Sequence, residues 1–167
     1  MRFLFLAALF MASNVSAQKA KVTNAWNYMN SGEYDKAYEN IEQASKDAST
    51  SEDAKTWYYR GKILVEAMQK EEYKNITDNM PQKAFDSFIK AQKLDEKGKY
   101  SRELDQFLGN MAFSLFNAGT TVLQSAENEK NEELFMQAHE IFESFITCME
   151  SLSPQMRQQV SQSFANN

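Results

Sequence analysis

The sequence contains little glycine or proline. Among 167 residues there are five Gly and two Pro, and β-branched residues are thinly scattered. Because Gly and Pro mark turns and β-branched side chains favour strands, their scarcity argues against a fold of many short strands. Apolar residues instead recur every three or four positions, which predicts an all-α protein.

Residue types that carry catalysis or bind metals are equally scarce. One histidine, His139, and one cysteine, Cys148, supply too few ligands for a typical zinc site. No nucleophile can be paired with His139, and no Gly-rich phosphate loop is present. Adjacent carboxylates such as Glu71 and Glu72 are typical of a solvated helix surface. We therefore predict no enzyme activity, no catalytic residue, no metal and no cofactor.

Cys148 has no second cysteine with which to form an intramolecular disulfide. It belongs to a line of apolar residues spaced by four and three, which is one face of a helix. The members of that line are Leu134, Ala138, Ile141, Phe145, Cys148 and Leu152. We predict that Cys148 is a small buried hydrophobic residue, and a disulfide between two chains is the alternative.

The first 17 residues differ from the rest of the chain. Arg2 is their only charge, an apolar run covers residues 3–12, and Val15-Ser16-Ala17 fits the small-x-small pattern for cleavage before Gln18. About ten apolar residues are too few to cross ~30 Å of hydrocarbon. We predict that residues 1–17 are a secretory signal peptide. We expect a periplasmic or secreted protein with no transmembrane segment after cleavage.

The remaining chain is acidic. Without Arg2, 17 Lys and Arg face 23 Asp and Glu, so the net charge is −6. Such a chain without a basic stripe is a poor ligand for nucleic acid. The segment 90–102 carries five positive and two negative charges, and we interpret it as a solvated turn.

Six helices are predicted from the apolar spacing and the flanking polar residues. The first two cover about 20–30 and 34–48, and capping boxes at 49–52 and 50–53 should start a third that runs to about 73. Pro81 suits the first turn of the fourth helix, and the fifth covers about 101–125. Asn131 should cap the sixth, which ends before Pro154. Residues 155–167 are predicted as a tail or partial capping helix.

An internal repeat links the even-numbered helices. The runs "DKAYENIEQA", "QKAFDSFIKA" and "MQAHEIFESF" align without gaps, each with an alanine followed four residues later by an aromatic residue or Ile. Each odd-numbered helix carries a small residue before its turn, namely Ala25, Gly61 and Gly119. The pattern predicts helix hairpins in which small residues allow two backbones to approach closely.

These runs resemble tetratricopeptide (TPR) repeats, helix-turn-helix units with a period of ~34 residues. The run "AWNYMNSGEYDKAYENIEQA" carries the resemblance best, and the likeness covers about residues 20–154. It implies an all-α domain over 18–154, built of three irregular antiparallel helix hairpins stacked as a short TPR-like α-solenoid. The residues assigned to repeat packing are Ala25, Gly32, Tyr34, Ala37, Ile41, Ala44, Trp57, Gly61, Ala84, Phe88, Ala91, Gly119, Ala138 and Phe142.

The resemblance also implies a function. We expect a non-enzymatic protein–protein interaction scaffold of a bacterial cell envelope, with a peptide or protein on its concave face. The first helices of the hairpins line that face in the family. The candidate groove residues on them are Trp26, Tyr58, Tyr59, Lys62, Asn117 and Thr120. Some family members hold a peptide's terminal carboxylate with Lys, Arg and Asn. Because Trp26 and Tyr58 occupy two of those places, we predict no carboxylate clamp.

Two other functions are open at this point. The chain could be a structural, homo-oligomerising repeat module or the leading part of a longer array, because terminal repeats usually need a capping helix and the tail has only a weak pattern. It could also carry an apolar small molecule between the fifth and sixth helices. The residues that would line such a site are Phe107, Met111, Phe116, Phe135 and Phe142.

Overall fold

The computed structural model describes residues 19–165, and within that range the chain is helical with no strand. The all-α prediction is confirmed. The elements are α1 (19–30), α2 (Tyr34–Lys46), α3 (Ala54–Met68), a 3-10 turn (Glu71–Tyr73), α4 (Met80–Leu94), α5 (Ser101–Glu129), α6 (Glu132–Ser151) and α7 (Pro154–Ala165).

The chain forms two compact units, the first ending at Gly98 and the second beginning at Lys99. The predicted signal peptide lies outside the described residues. Among the helices of residues 19–165, none combines the length and the apolar character needed to cross a membrane.

The end of α2 is built by polar side chains that sequence reasoning assigned to the next helix. The carboxylate of Asp47 accepts hydrogen bonds from the backbone N–H of Ser49 (2.9 Å) and from its hydroxyl (2.6 Å). The buried hydroxyl of Thr50 donates to the carbonyl of Ala44 at 2.6 Å. The hydroxyl of Thr50 therefore satisfies a carbonyl in the last turn of α2, and Asp47 at the C-cap holds Ser49. The helix ends at Lys46, earlier than predicted.

The start and end of α3 also differ from the prediction. Asp53 caps the helix by accepting the backbone N–H of Lys55 at 2.9 Å. The predicted capping boxes at 49–52 and 50–53 are wrong because their hydroxyls are already engaged. The helix stops at Met68, and a 3-10 turn replaces the predicted last turns.

The first unit is closed by a glycine turn between α1 and α2. Gly32 has φ +80°, the N–H of Glu33 bonds the carbonyl of Tyr28 (2.9 Å), and that of Gly32 bonds Met29 (3.1 Å). These paired bonds satisfy the last carbonyls of α1. The two helices run antiparallel, since Lys21 near the start of α1 contacts Gln43 near the end of α2.

A glycine also sets the distance between α3 and α4. Gly61 lies against the ring of Phe88, which is fully buried, and a Cβ at position 61 would come within 2.5 Å of that ring. In the second unit, a Cβ at Gly119 of α5 would come within 2.8 Å of Phe142 on α6. Each ring stands four residues after the alanine of its run, Ala84 or Ala138, and both alanines are buried.

The residues assigned to repeat packing fall in two groups. Those that are buried are Ala25, Tyr34, Ala37, Ile41, Ala44, Gly61, Ala84, Phe88, Ala91, Gly119 and Ala138. Gly32, Trp57 and Phe142 are half-buried. Trp57 is held at the surface because its indole N–H donates to the carbonyl of Ser51 at 2.6 Å.

A buried arginine joins three helices of the first unit. Arg60 of α3 donates from Nε to Oε2 of Glu42 on α2 (2.9 Å) and from Nη1 to the hydroxyl of Ser87 on α4 (2.7 Å). Its side chain is 9% exposed. Burial acts to raise the pKa of the Glu42 carboxyl, but bonds and charge from Arg60 and Lys46 outweigh it and hold that pKa below its usual value.

The second unit is a long hairpin with a third helix packed on it. The side chain of Asn131 caps α6 as predicted, accepting the N–H groups of Glu133 (3.0 Å) and Leu134 (3.4 Å). The tail after Pro154 is the helix α7, which packs against α5. Beyond the end of α6, the carboxylate of Asp105 on α5 accepts the N–H of Ser153 at 3.0 Å.

The contact between Gly61 and Phe88 predicts the effect of Gly61→Ala. Alanine favours a helix by ~1 kcal/mol over glycine. Here the buried ring cannot yield, so we expect a net loss of ~1–3 kcal/mol in the free energy of unfolding. Urea unfolding followed by tryptophan fluorescence measures the first unit, because both tryptophans, Trp26 and Trp57, lie in it.

The control for Gly61→Ala is a second substitution that makes room. Phe88→Leu alone should destabilise the protein, yet in combination with Gly61→Ala the added cost of the alanine should shrink. Gly119→Ala should cost less than Gly61→Ala because Phe142 is half-buried and can move. The second unit has no tryptophan, so circular dichroism follows the unfolding of this variant. Simple additivity of Gly61→Ala and Phe88→Leu would contradict the assigned contact.

The lowered pKa of Glu42 predicts an acid-sensitive first unit. The stabilisation from this carboxylate is present above the pKa of ~4.3 for an unfolded glutamate and is lost as the pH falls through the lower folded pKa. Glu42→Gln should cost about 1 kcal/mol at neutral pH and weaken the loss of stability below about pH 4. Denaturant unfolding against pH measures both, with Glu39→Gln on the exposed side of α2 as control. If the stability of Glu42→Gln fell below about pH 4 as steeply as that of the wild type, this would count against a stabilising contact between Glu42 and Arg60.

Candidate peptide-binding surfaces

One face of α3 combines an aromatic ring with charged groups. Lys55, Tyr59, Lys62 and Glu66 are spaced by four, three and four residues, so they form one line along the helix, and all are half-buried. The ammonium of Lys55 lies 5.8 Å from the ring centroid of Tyr59, and that of Lys62 lies 3.8 Å from Oε1 of Glu66. This face brings together two predicted residues, Tyr59 and Lys62.

Tyr58 does not lie on this face. It is only 7% exposed, and its ring packs edge-on against that of Tyr59 with centroids 5.2 Å apart. Its prediction as a groove residue is corrected: of the three consecutive aromatic residues 57–59, Tyr58 points into the core. Its ring contacts that of Tyr59 from the core side, and it offers almost no surface to a partner.

A buried tyrosine fixes the carboxylate at the end of the α3 face. The hydroxyl of Tyr34 donates to Oε2 of Glu66 at 3.3 Å. Burial and the neighbouring Glu66 carboxylate raise the pKa of Tyr34. The hydroxyl therefore stays protonated at neutral pH and remains a donor to Glu66.

Trp26 stands apart on α1. The apolar residues around it, Val22, Ala25 and Met29, are buried, whereas 42% of Trp26 is exposed. An exposed indole of this size favours a contact role over a place in the core.

The remaining two predicted groove residues lie on α5 in the second unit. Asn117 and Thr120 belong to a line of exposed residues spaced by four, three, four, three and four, which we call the amide stripe. Its members are Gln106, Asn110, Phe113, Asn117, Thr120 and Gln124. The hydroxyl of Thr120 donates to the carbonyl of Phe116 at 2.9 Å, while the side-chain amides of Asn110 and Asn117 bond no other residue within 19–165.

A groove of ≈ 600 Å³ opens beside the amide stripe, between α5 and α7. Its lining residues are Gln106, Gly109, Asn110, Phe113, Met156, Gln159, Val160 and Ser163. The helices α5 and α7 approach closely at Gly109, because a Cβ there would lie 3.4 Å from the sulfur of Met156. The ring of Phe113 stacks on that of Phe164, with centroids 5.6 Å apart and planes 7° apart.

Aromatic rings fill the space behind the groove. Phe116 packs against Phe142, Phe145 and Phe164, with centroid distances of 6.3, 5.6 and 4.4 Å. Of the residues predicted to line a site for an apolar small molecule between α5 and α6, Phe116 and Phe142 thus pack on each other. Of the predicted carrier residues, Phe135 points outward and is 41% exposed.

Sequence reasoning missed Gln106, Asn110, Phe113 and Gly109 on α5. The sequence did contain a feature that marks this surface of α5. Between Glu103 and Glu127, every exposed residue of α5 is uncharged, although a quarter of the whole chain is charged. The groove itself had no such signal, since it depends on where α7 packs.

Within residues 19–165, no three His, Cys, Asp or Glu side chains come together in a way that could hold a metal ion. Cys148 is buried, as predicted, and burial raises the pKa of its thiol to about 12.

Comparisons with protein-family models, with curated proteins and with solved structures find no match for this chain.

The raised pKa of Cys148 predicts an unreactive thiol. With a pKa of about 12, only about one thiol in ten thousand is a thiolate at pH 8. We expect a thiol-reactive disulfide reagent to label the native protein only as fast as the second unit opens, and to label the urea-unfolded chain at once. Labelling followed by absorbance measures this. Immediate labelling of the native protein would contradict the buried position, and a thiol-sensitive dimer on a non-reducing gel would revive the interchain disulfide.

Proposed function

We propose that this protein is a non-enzymatic, TPR-like scaffold of a bacterial cell envelope that binds an extended peptide segment along α5. The export rests on the predicted signal peptide. The TPR-like arrangement is supported by the close contact of a small residue with a ring at Gly61 and Phe88 and again at Gly119 and Phe142.

The observation that carries the proposal is the uncharged surface of α5. Its exposed residues between Glu103 and Glu127 are amides, hydroxyls, one alanine and one phenylalanine. They are Gln106, Asn110, Phe113, Ser114, Asn117, Ala118, Thr120, Thr121 and Gln124. A quarter of the whole chain is charged, so an uncharged helix face of this length favours a role beyond solubility. The helix α7, which packs on α5, likewise exposes mainly amides and hydroxyls, with Arg157 as its one charged residue among 154–164.

An extended peptide matches that surface in chemistry and in length. Its backbone presents N–H donors and carbonyl acceptors, and each side-chain amide of Asn or Gln can pair with both. From Gln106 to Gln124 the stripe is ~27 Å long at 1.5 Å per residue. That length spans about eight residues of extended chain at ~3.3 Å each.

The groove between α5 and α7 adds room for side chains of the peptide. Its ≈ 600 Å³ are lined by amides on both helices and by apolar atoms of Phe113, Met156 and Val160. A small or uncharged side chain would bury apolar surface there without leaving a charge unpaired. In the first unit, taken by itself, the α3 face with Tyr59 and Lys62 and the exposed Trp26 of α1 are separate candidate contact surfaces.

The same surface supports binding without a carboxylate clamp. The amide stripe contains no Lys or Arg, so a terminal carboxylate has no cationic partner on it. Binding should therefore weaken little with added salt and should not require a free C-terminus.

Screening an array of extended peptides, internal and C-terminal, tests the proposal. We expect internal uncharged segments to bind, and Asn110→Ala with Asn117→Ala to weaken that binding by about tenfold or more. Gln137→Ala removes an exposed amide from α6 and should have no effect. Fluorescence anisotropy with labelled hits from the array measures the affinities at low and high salt.

Three results would contradict the proposal. One is full binding by the Asn110→Ala, Asn117→Ala variant. A second is loss of binding on Trp26→Ala with no effect from the α5 substitutions, which would move the site to the first unit. A third is selective retention of acidic C-terminal peptides, which would restore the carboxylate clamp.

A further inference from the structure

An apolar line on α6 lies open to solvent with a rim of carboxylates. Phe135, Phe142 and Ile146 are spaced by seven and four residues and so share one side of the helix, which we call the α6 edge. Phe135 is 41% and Ile146 is 50% exposed, and Phe142 is half-buried. Large apolar side chains exposed in a line favour an interaction surface.

The rim of the α6 edge is acidic. Glu132, Glu143 and Glu150 are exposed and stand three or four residues from Phe135 or Ile146, which makes them its neighbours on the helix surface. The helix carries five Glu and no Lys or Arg. A partner of the α6 edge must therefore offer apolar atoms together with positive charge.

The first unit carries a surface with those properties on α4. A groove of ≈ 340 Å³, which we call the α4 groove, is lined by Phe85, Asp86, Ile89, Lys90, Lys93 and Leu94. Ile89 and Leu94 are half-buried and supply apolar atoms. Lys93 is exposed and forms no ion pair within the described chain. The lining holds two lysines and one carboxylate, that of Asp86, so its net charge is positive whereas that of α6 is negative.

We propose that the α6 edge of one molecule docks into the α4 groove of a second copy of the same chain, in a head-to-tail contact. The apolar side chains Phe135 and Ile146 would bury against Ile89 and Leu94, and carboxylates of the rim would face Lys93. This inference does not depend on the proposed peptide site on α5.

The charges on the α6 edge favour the α4 groove of a second copy over another α6 edge or an anionic membrane. Two α6 edges facing each other would oppose Glu to Glu, and like charges in a contact are unfavourable. An anionic membrane surface would repel the same carboxylates. A single contact of this kind per pair of molecules is heterologous and grows as a ring or an open chain, whereas two molecules that exchange both contacts close as a two-fold dimer.

Lys90 also lines the α4 groove, but it is not a suitable residue to substitute in a test of this contact. Its ammonium pairs with Glu52 at 3.5 Å and lies 4.3 Å from the ring centroid of Trp57, so it also supports the first unit. Lys93 and Glu143 are the residues of choice, one on each surface. Glu143 pairs only with the exposed His139 at 3.4 Å, so its loss should leave the fold intact.

Sedimentation velocity from micromolar to millimolar concentration tests the contact. We expect the mass of the wild type to rise with concentration and the association to weaken with added salt. Lys93→Glu and Glu143→Lys should each weaken it by about tenfold or more, because each places like charges in the contact. The double variant Lys93→Glu, Glu143→Lys should regain association, as should a mixture of the two single variants.

Matched controls separate the contact from a general effect of charge. Glu140→Lys makes the same change on α6 away from the edge, and Lys70→Glu makes the reverse change outside the α4 groove. Both should associate like the wild type, and circular dichroism should show every variant folded. A wild type that stays monomeric at all concentrations would overturn the proposal. So would equal effects from controls and edge variants, or failure of the double variant to regain association.

Discussion

The close approach of two helices at a glycine is the contact on which each unit depends. At Gly61 the neighbouring helix comes so near that a ring, that of Phe88, occupies the place of a side chain. The fully buried Ala84 and Ala91 on the same face of α4 follow from this short distance, since larger residues would overpack the hairpin. The contact of Gly119 with Phe142 is the same in kind, but its ring is partly open to solvent and can adjust.

Polar groups in the first unit are arranged around that packing. Arg60 stands next to Gly61, and its guanidinium reaches Glu42 on one neighbouring helix and Ser87 on the other. A buried arginine is costly unless it is paired and hydrogen-bonded, and here it meets both conditions. The same residues also tie α2 and α4 to α3, so that the polar network and the glycine contact support one arrangement of the three helices.

Much of the fold could be predicted because it rests on local periodicity. The all-α class and the burial of Cys148 followed from the apolar spacing, and the cap at Asn131 followed from the residue type at the start of the helix. The end of α2 and the start of α3 could not, because Asp47 and Thr50 bond to groups whose positions depend on how the chain turns between the two helices. For the candidate site, Asn117 was correctly placed at the surface of α5, whereas the α5–α7 groove beside the stripe required knowledge of α7.

The sequence by itself determined which residues form helices and which side of each helix is apolar, since both depend on neighbours within one turn. Only the tertiary structure decided which of three consecutive aromatic residues enters the core. At positions 57–59 the helix can bury only one side, and the hydrogen bond from Trp57 to Ser51 leaves Tyr58 to fill it. The groove beside α5 was likewise decided by packing, because it exists only where α7 lies over Gly109.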